Sequence, residues 1–270
     1  MKLEISASLN YRLGDPVDLM LQIEAADGQG QRVVTSSLDL GTPDHVARVT
    51  AQDGIGERIW VHGGGVLRVH YAAEVLIDRP AADYRTRAQV PPHRLPAEAV
   101  PYLNESRYCP SIKFTAFVER RFGELSGGAK IGRMRDWIES RFTYVAGTST
   151  ADTGALDSFV ERRGVCRDYA HVMIALARAA HIPARMASVY ALGVEPQDFH
   201  AVAEVYLDGG WHMVDATGMS QADRSARICI GRDAADVAFL TAYRDVELMG
   251  QSVSVKQVGE GNRIRKITYC

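Results

Sequence analysis

The spacing of apolar residues changes period once along this chain, and that change limits what the chain can fold into. Over residues 2–13 the set Leu3, Ile5, Ala7, Leu9, Tyr11 and Leu13 alternates with Lys2, Glu4, Ser6, Ser8, Asn10 and Arg12. A period of two is that of a strand with one face buried. The alternation resumes in Val17, Leu19, Leu21, Ile23 and Ala25, after the turn residues Gly14-Asp15-Pro16, and again in Leu67, Val69, Tyr71, Ala73, Val75 and Ile77. Weaker strand signals lie at 32–40, 47–51 and 58–62. Two-faced strands without a helical period among them predict an antiparallel β-sandwich over residues 1–80.

A proline-rich stretch follows. Pro91, Pro92, Pro96, Pro101 and Pro110 each lack an N–H donor, so residues 81–111 read as an extended connector. The helical period starts only beyond it. Phe114, Phe117, Val118 and Phe122 form one stripe, and Ile131, Met134, Trp137, Ile138 and Phe142 another. A third helix is predicted over 155–162, ended by Gly164. A fourth starts near Cys166, buries Ala170, Met173, Leu176, Ala177 and Ala180, and stops before Pro183. Strands are predicted at 185–191, 202–207 and 211–215, the last two joined as a hairpin through Asp208-Gly209-Gly210. Residues 112–270 therefore read as an α+β domain of helices packed on an antiparallel sheet.

Composition narrows the function classes. The formal net charge of −2 and pI near 6.5 provide no broad basic footprint, so neither nucleic acid nor an anionic membrane is an expected partner. The opening MKLEISASLNYRL does not resemble a signal peptide, and the longest apolar run, near 172–180, is broken by Arg178 and falls short of the roughly 20 residues of a membrane helix. The expectation is a soluble, cytoplasmic protein. Cys109, Cys166, Cys229 and Cys270 are far apart and without CxxC spacing, which predicts reduced thiols. No calcium-loop pattern occurs, and no cofactor is expected. Nothing in the sequence specifies the oligomeric state.

One cysteine stands where chemistry is possible. Cys166 follows Gly164-Val165 and opens the fourth helix, where unpaired N–H groups and the helix dipole favour an anion. A thiol at a helix start can have a depressed pKa, and the thiolate is the nucleophile. His200 begins the strand HAVAEVYL and Asp215 ends the strand WHMVD, so the hairpin between them brings the carboxylate back beside the imidazole. A nucleophile, a base and an orienting carboxylate in line are the machinery of acyl-transfer enzymes. His171, five residues after Cys166, is poorly placed to face it and reads as a surface or core histidine. Asp168 reads as dipole-stabilising in the first helical turn, His212 as turned away, and Tyr144, Tyr169 and Trp211 as core or pocket wall.

Four ordered motifs carry a family resemblance. Gly164-Val165-Cys166-Arg167-Asp168-Tyr169-Ala170-His171, His181-Ile182-Pro183-Ala184-Arg185, His200-Ala201-Val202-Ala203-Glu204-Val205-Tyr206 and Gly210-Trp211-His212-Met213-Val214-Asp215-Ala216-Thr217 resemble the core of the bacterial transglutaminase-like superfamily. The resemblance implies a papain-like α+β fold with a Cys-His-Asp triad on Cys166, His200 and Asp215, and a peptide or protein substrate. Val202 and Ala216 depart from the family pattern, where an aromatic residue and a proline are frequent. The shape of the acyl or acceptor pocket is thereby left open. The triad serves both hydrolysis, as in a cysteine protease or amidase, and transfer to an amine, as in a transglutaminase. Hydrolysis is preferred here, because water is always at hand. A non-catalytic protein-binding module and a zinc site on the same three side chains are the competing readings.

Overall fold

The computed structural model describes residues 1–259 except Gln29 and Ala82. Cys270 lies outside the described residues. The α+β class expected from the sequence holds. β1 (Lys2–Leu21), β2 (Gln31–Asp39), β3 (His45–Thr50) and β4 (Glu57–Ile77) form the N-terminal sheet, and β1 and β4 run antiparallel along its length. Leu3 faces Val75, Ala7 faces Tyr71 and Leu9 faces Val69, so one buried face is apolar pair by pair.

In one respect the strands differ from expectation. Residues 2–13 and 17–21 belong to a single strand, because Gly14-Asp15-Pro16 forms a bulge in β1 and not a chain reversal. The partner allows this with Gly63-Gly64-Gly65. Gly14 and Gly65 both have positive φ, and a Cβ on Gly64 would stand 3.2 Å from the Gly14 carbonyl oxygen. The expected sandwich is, by hydrogen bonding, one continuous six-stranded sheet.

Beyond β4, residues 84–86, 92–94 and 100–103 make short 3₁₀ turns, the last of which buries Tyr102. Then come α1 (Thr115–Phe122), α2 (Gly127–Arg141) and β5 (Thr143–Tyr144), followed by α3 (Ala155–Glu161), β6 (Arg163–Gly164) and α4 (Cys166–Ala179). A second sheet is built from β7 (Ala184–Ala191), β8 (His200–Leu207), β9 (Gly210–Val214) and β10 (Ser225–Gly231), in the order β10-β7-β8-β9. After α5 (Ala234–Val237), β11 (Leu240–Ala242) and β12 (Glu247–Val258) return to pair with β1. Strands from both ends of the described chain thus share the N-terminal sheet, a pairing that the partition into 1–80, 81–111 and 112–270 does not anticipate. The open backbone edge of β1 supplies the reason, since its N–H and C=O groups need partners.

α4 is the centre of the second unit. Every residue from Asp168 to Ala179 is buried, a pattern broader than the single stripe read from the sequence. Arg178 is satisfied inside the protein by the carbonyls of Ala184 and Arg232 and the Ser106 hydroxyl. One apolar core runs from β1 and β4 through α1, α2 and α4 to β7 and β8. Tyr71 of the first sheet stacks on Tyr190 of the second at 6.0 Å, and the Tyr190 hydroxyl donates to the Ile23 carbonyl at 2.7 Å. No helix among the described residues is long and apolar enough to cross a membrane.

A buried ion cluster ties the second sheet together. Glu204 on β8 accepts from Arg185 Nε at 2.8 Å and from Arg227 Nε at 2.9 Å, and these arginines lie on β7 and β10. All three are buried. Burial works against the Glu204 carboxylate, but the two guanidiniums hold its pKa down to about 2. Removing one member of such a cluster leaves buried charge uncompensated. Glu204→Ala is expected to lower the unfolding free energy by about 3–5 kcal/mol, read from urea denaturation. An unchanged urea midpoint would contradict this account.

Candidate active site

The approach to Cys166 is set by a cap. Gly164 and Val165 lead into α4, and Asp168 turns back to accept the Val165 N–H at 2.7 Å while its own N–H donates to the Val165 carbonyl at 2.9 Å. A Cβ on Gly164 would stand 2.5 Å from Asp168 Oδ2, so this cap requires glycine there. Asp168 also accepts from the Ser149 hydroxyl, and Arg167 Nη2 donates to the Thr150 carbonyl at 2.7 Å. The 146–154 loop is thereby pinned beside the start of α4. Cys166 is the first residue of α4 and is half-buried, whereas Cys109 and Cys229 are buried, with thiol pKa values pushed up by that burial to about 12.

The second sheet supplies the other two side chains. Asp208 and Gly209 both have positive φ, which suits the tight reversal between β8 and β9. Ala203 is opposite Val214, so Asp215 emerges next to the start of β8, where His200 stands. His200 Nε2 and Asp215 Oδ2 are 2.9 Å apart, and both side chains are buried. His200 Nδ1 is buried and has no hydrogen-bond partner among the described residues, and Cys166 is among the groups that raise the pKa of the ring.

Asp215 is held on several sides. The Thr217 N–H and hydroxyl donate to Oδ1 at 2.8 and 2.7 Å, and the Ser220 N–H and hydroxyl donate to Oδ2, both at 2.8 Å. Arg135 of α2 fixes the backbone by donating to the Asp215 carbonyl at 3.0 Å. Burial works to raise the carboxyl pKa, but His200 and the two hydroxyls bring it down to about 2. Burial likewise disfavours a charged His200, and the bonds to Asp215 and Cys166 overcome it, raising the ring to about 10. Each partner thus favours the charged form of the other.

Thr217 and Ser220 were not singled out in the sequence. The short Asp-x-Thr spacing is a local signal for such a turn, whereas Ser220 arrives through the loop's path. His171 proves a core residue: its Nε2 accepts the Ala234 N–H at 3.2 Å, its ring stacks on Tyr108, and burial lowers its pKa to about 3. His212 turns away and donates to the Leu207 carbonyl at 3.1 Å. Trp211 lies under Arg185, whose guanidinium carbon is 4.0 Å from the ring centre. Among the described residues, no group of three or more His, Cys, Asp or Glu side chains is arranged to hold a metal ion.

The chain is similar to known proteins to different extents. Residues 117–216 match the family model of the transglutaminase-like superfamily. A solved Cytophaga hutchinsonii structure, described as a candidate cysteine protease, is similar with a TM-score of 0.90 and 29% identity, over 97% of this chain and 92% of that one. The periplasmic domain of TgpA from Pseudomonas aeruginosa, bound to ethylmercury, aligns with a TM-score of 0.40 and 18% identity, over 78% of this chain and 75% of that domain. An uncharacterized protein of Mycobacterium leprae (strain TN) is 30% identical over 111 residues, 38% of this chain and 39% of the relative's length. Cys166, His200 and Asp215 all fall within the segment that resembles the transglutaminase-like superfamily.

Proposed function

We propose that the chain is a thiol-dependent acyl-transfer enzyme acting on peptide or carboxamide bonds, with Cys166 as nucleophile, His200 as acid and base, and Asp215 as the group that orients His200. The observation that carries this reading is the His200–Asp215 pair: a buried imidazole held through Nε2 at 2.9 Å, with Nδ1 left for the thiol that opens α4. The Cys166 thiolate attacks the carbonyl carbon, the C–N bond breaks, and the departing amine takes a proton from His200. A thioester is left on the sulfur. Water resolves it, which makes the protein a cysteine protease or amidase working with a reduced thiol, as a cytoplasmic setting maintains.

Labelling tests the nucleophile. Iodoacetamide at neutral pH should modify Cys166 well before Cys109 and Cys229, since those two thiols are buried and protonated up to about pH 12. Peptide mapping by mass spectrometry gives the order, and equal rates for the three would sink the proposal. Substrates retained by Cys166→Ala, supplied to the wild-type enzyme with a fluorescent primary amine, distinguish the outcomes. Cleavage without incorporation is expected, and incorporation would make the protein a transglutaminase.

The ion pair has its own pH signature. His200 is raised from 6.5 to about 10, so its contribution to stability is complete below pH 6.5 and is lost as the pH rises through 10. Asp215 is lowered from 3.8 to about 2, so its contribution is present above pH 3.8 and is lost as the pH falls through 2. The stability gap between wild type and Asp215→Asn should therefore be widest between pH 3.8 and 6.5 and narrow toward pH 10. Urea midpoints across that range measure it, and a gap independent of pH would count against the ion pair.

A further inference from the structure

Between α1 and α2 lies a groove of about 910 Å³ to which none of Cys166, His200 and Asp215 contributes. Its wall carries Arg120 and Arg121 from the last turn of α1, Arg133 from the middle of α2 and Arg141 from its end. All four are exposed, and among the described residues none of these guanidiniums forms an ion pair or a side-chain hydrogen bond. Asp136, which also lines the groove, is already taken by Arg85 at 2.6 Å. Glu119 and Glu124 are the other acids there, so four free guanidiniums face two free carboxylates and the groove is cationic. Its apolar lining includes Phe122 and Trp137, whose rings are 6.4 Å apart. Arg162 rests on the same Trp137, with its guanidinium carbon 4.4 Å from that ring centre and 4.1 Å from the ring centre of Phe159. Ring faces hold this cation in place of a carboxylate, so its charge adds to the positive field at this end of α2. The dipoles of α1 and α2 favour cations in their last turns, which accounts singly for Arg120, Arg121 and Arg141. They do not account for Arg133, or for four unpaired guanidiniums converging on one concave surface.

Resting on the acyl-transfer reading of Cys166, we propose that this groove is an exosite that holds an acidic segment of the protein substrate while Cys166 acts on another part of the same polypeptide. A guanidinium presents a planar fork of donors that matches a carboxylate, so Asp and Glu side chains are its natural partners. A nucleic acid carries a charge at every step, and Glu119 and Glu124 would oppose it along the groove. A peptide instead places carboxylates opposite the arginines, amides or hydroxyls opposite the glutamates, and an apolar side chain on Trp137. The groove also has a route to the thiol. α2 runs on into β5, which pairs with β6 just before Cys166. Two ring contacts, Trp137 to Phe142 at 6.0 Å and Phe142 to Tyr169 at 5.5 Å, lead from the groove to the first turn of α4. At about 3.3 Å per residue an extended chain covers such a separation in a few residues. The net charge of −2 for the whole chain conceals the groove, because a sum over residues carries no position.

Binding and reach are tested on the full chain with a fluorescein-labelled Glu-Ser hexapeptide, read by fluorescence anisotropy. The Glu-Ser peptide is expected to bind and its Lys-Ser counterpart not to. Arg121→Glu combined with Arg141→Glu should weaken binding by about tenfold or more, since each change puts like charges together. Arg121→Gln with Arg141→Gln removes charge without adding repulsion and should give a smaller loss in the same direction. Raising the salt from about 0.05 M to about 0.5 M should weaken binding to the wild type. Equal binding of the two peptides, or unchanged binding in both double variants, would overturn the exosite. Tighter binding of oligo(dT) than of the acidic peptide, lost in the same variants, would assign the groove to nucleic acid and also overturn it. Alkylation of Cys166 by iodoacetamide reads the reach. The hexapeptide should leave it unchanged, whereas the same peptide extended at both ends by about ten Gly and Gln residues should slow it about threefold in wild type and not in the Glu double variant. An extended peptide that binds through the arginines yet leaves alkylation unchanged would overturn the link to the thiol. Alkylation of Cys166 without preference over Cys109 and Cys229 would overturn the acyl-transfer reading instead, with peptide binding by the arginines still in place.

Discussion

The carboxylate of Glu204, enclosed by Arg185 and Arg227, is the interaction on which the second unit depends. It joins three adjacent strands of a four-stranded sheet through buried side chains. An ion cluster of this kind is not stronger than a well-packed apolar layer, but it tolerates few alternative registers, because a shifted strand would strand a charge in the interior. The cluster also reaches the first sheet. Gln31 of β2 receives the Arg227 N–H at 2.7 Å and donates to the Arg227 carbonyl at 2.8 Å. The register of β8, and with it the place of His200 at the strand's start, is therefore set by charge as well as by hydrogen bonding along the strands.

Against that rigid sheet the site is assembled from local caps. Asp168 closes on the Val165 N–H and fixes the start of α4, and the turn after Asp215 wraps the carboxylate in N–H and hydroxyl donors. Such short-range bonds hold a buried anion in one rotamer, and the anion in turn orients the imidazole. The N-terminal sheet contributes at a distance. Gln197, three residues before His200, exchanges two side-chain hydrogen bonds with the backbone of Val255 on β12, both at 2.9 Å. Phe199 stacks on Phe239 at 4.7 Å. The loop that delivers the histidine is thus fastened to β12 and to the residue that precedes β11.

Much of this was legible in the order of residues. Leu3 to Leu13 alternate in the sequence and in burial alike, since a strand with one wet face must repeat every second residue. The helix starting at Cys166 and the β8–β9 hairpin were legible for the same local reason. Gly14-Asp15-Pro16 was not, because a turn and a bulge share the same residues and only the glycines of the facing strand decide between them. β10, β11 and β12 escaped notice as well: their roles depend on which open edge they meet.

The sequence by itself determined the α+β class, the helix that presents Cys166 and the hairpin that carries His200 and Asp215, because each follows from periodicity and turn chemistry within a few residues. Tertiary structure alone decided that both ends of the described chain share one sheet, that Glu204 joins three strands, and that Thr217, Ser220 and Arg135 brace Asp215. The reason is physical. Periodicity records which side of an element avoids water, whereas a buried polar group takes its partner from whatever the packed chain brings within hydrogen-bonding reach.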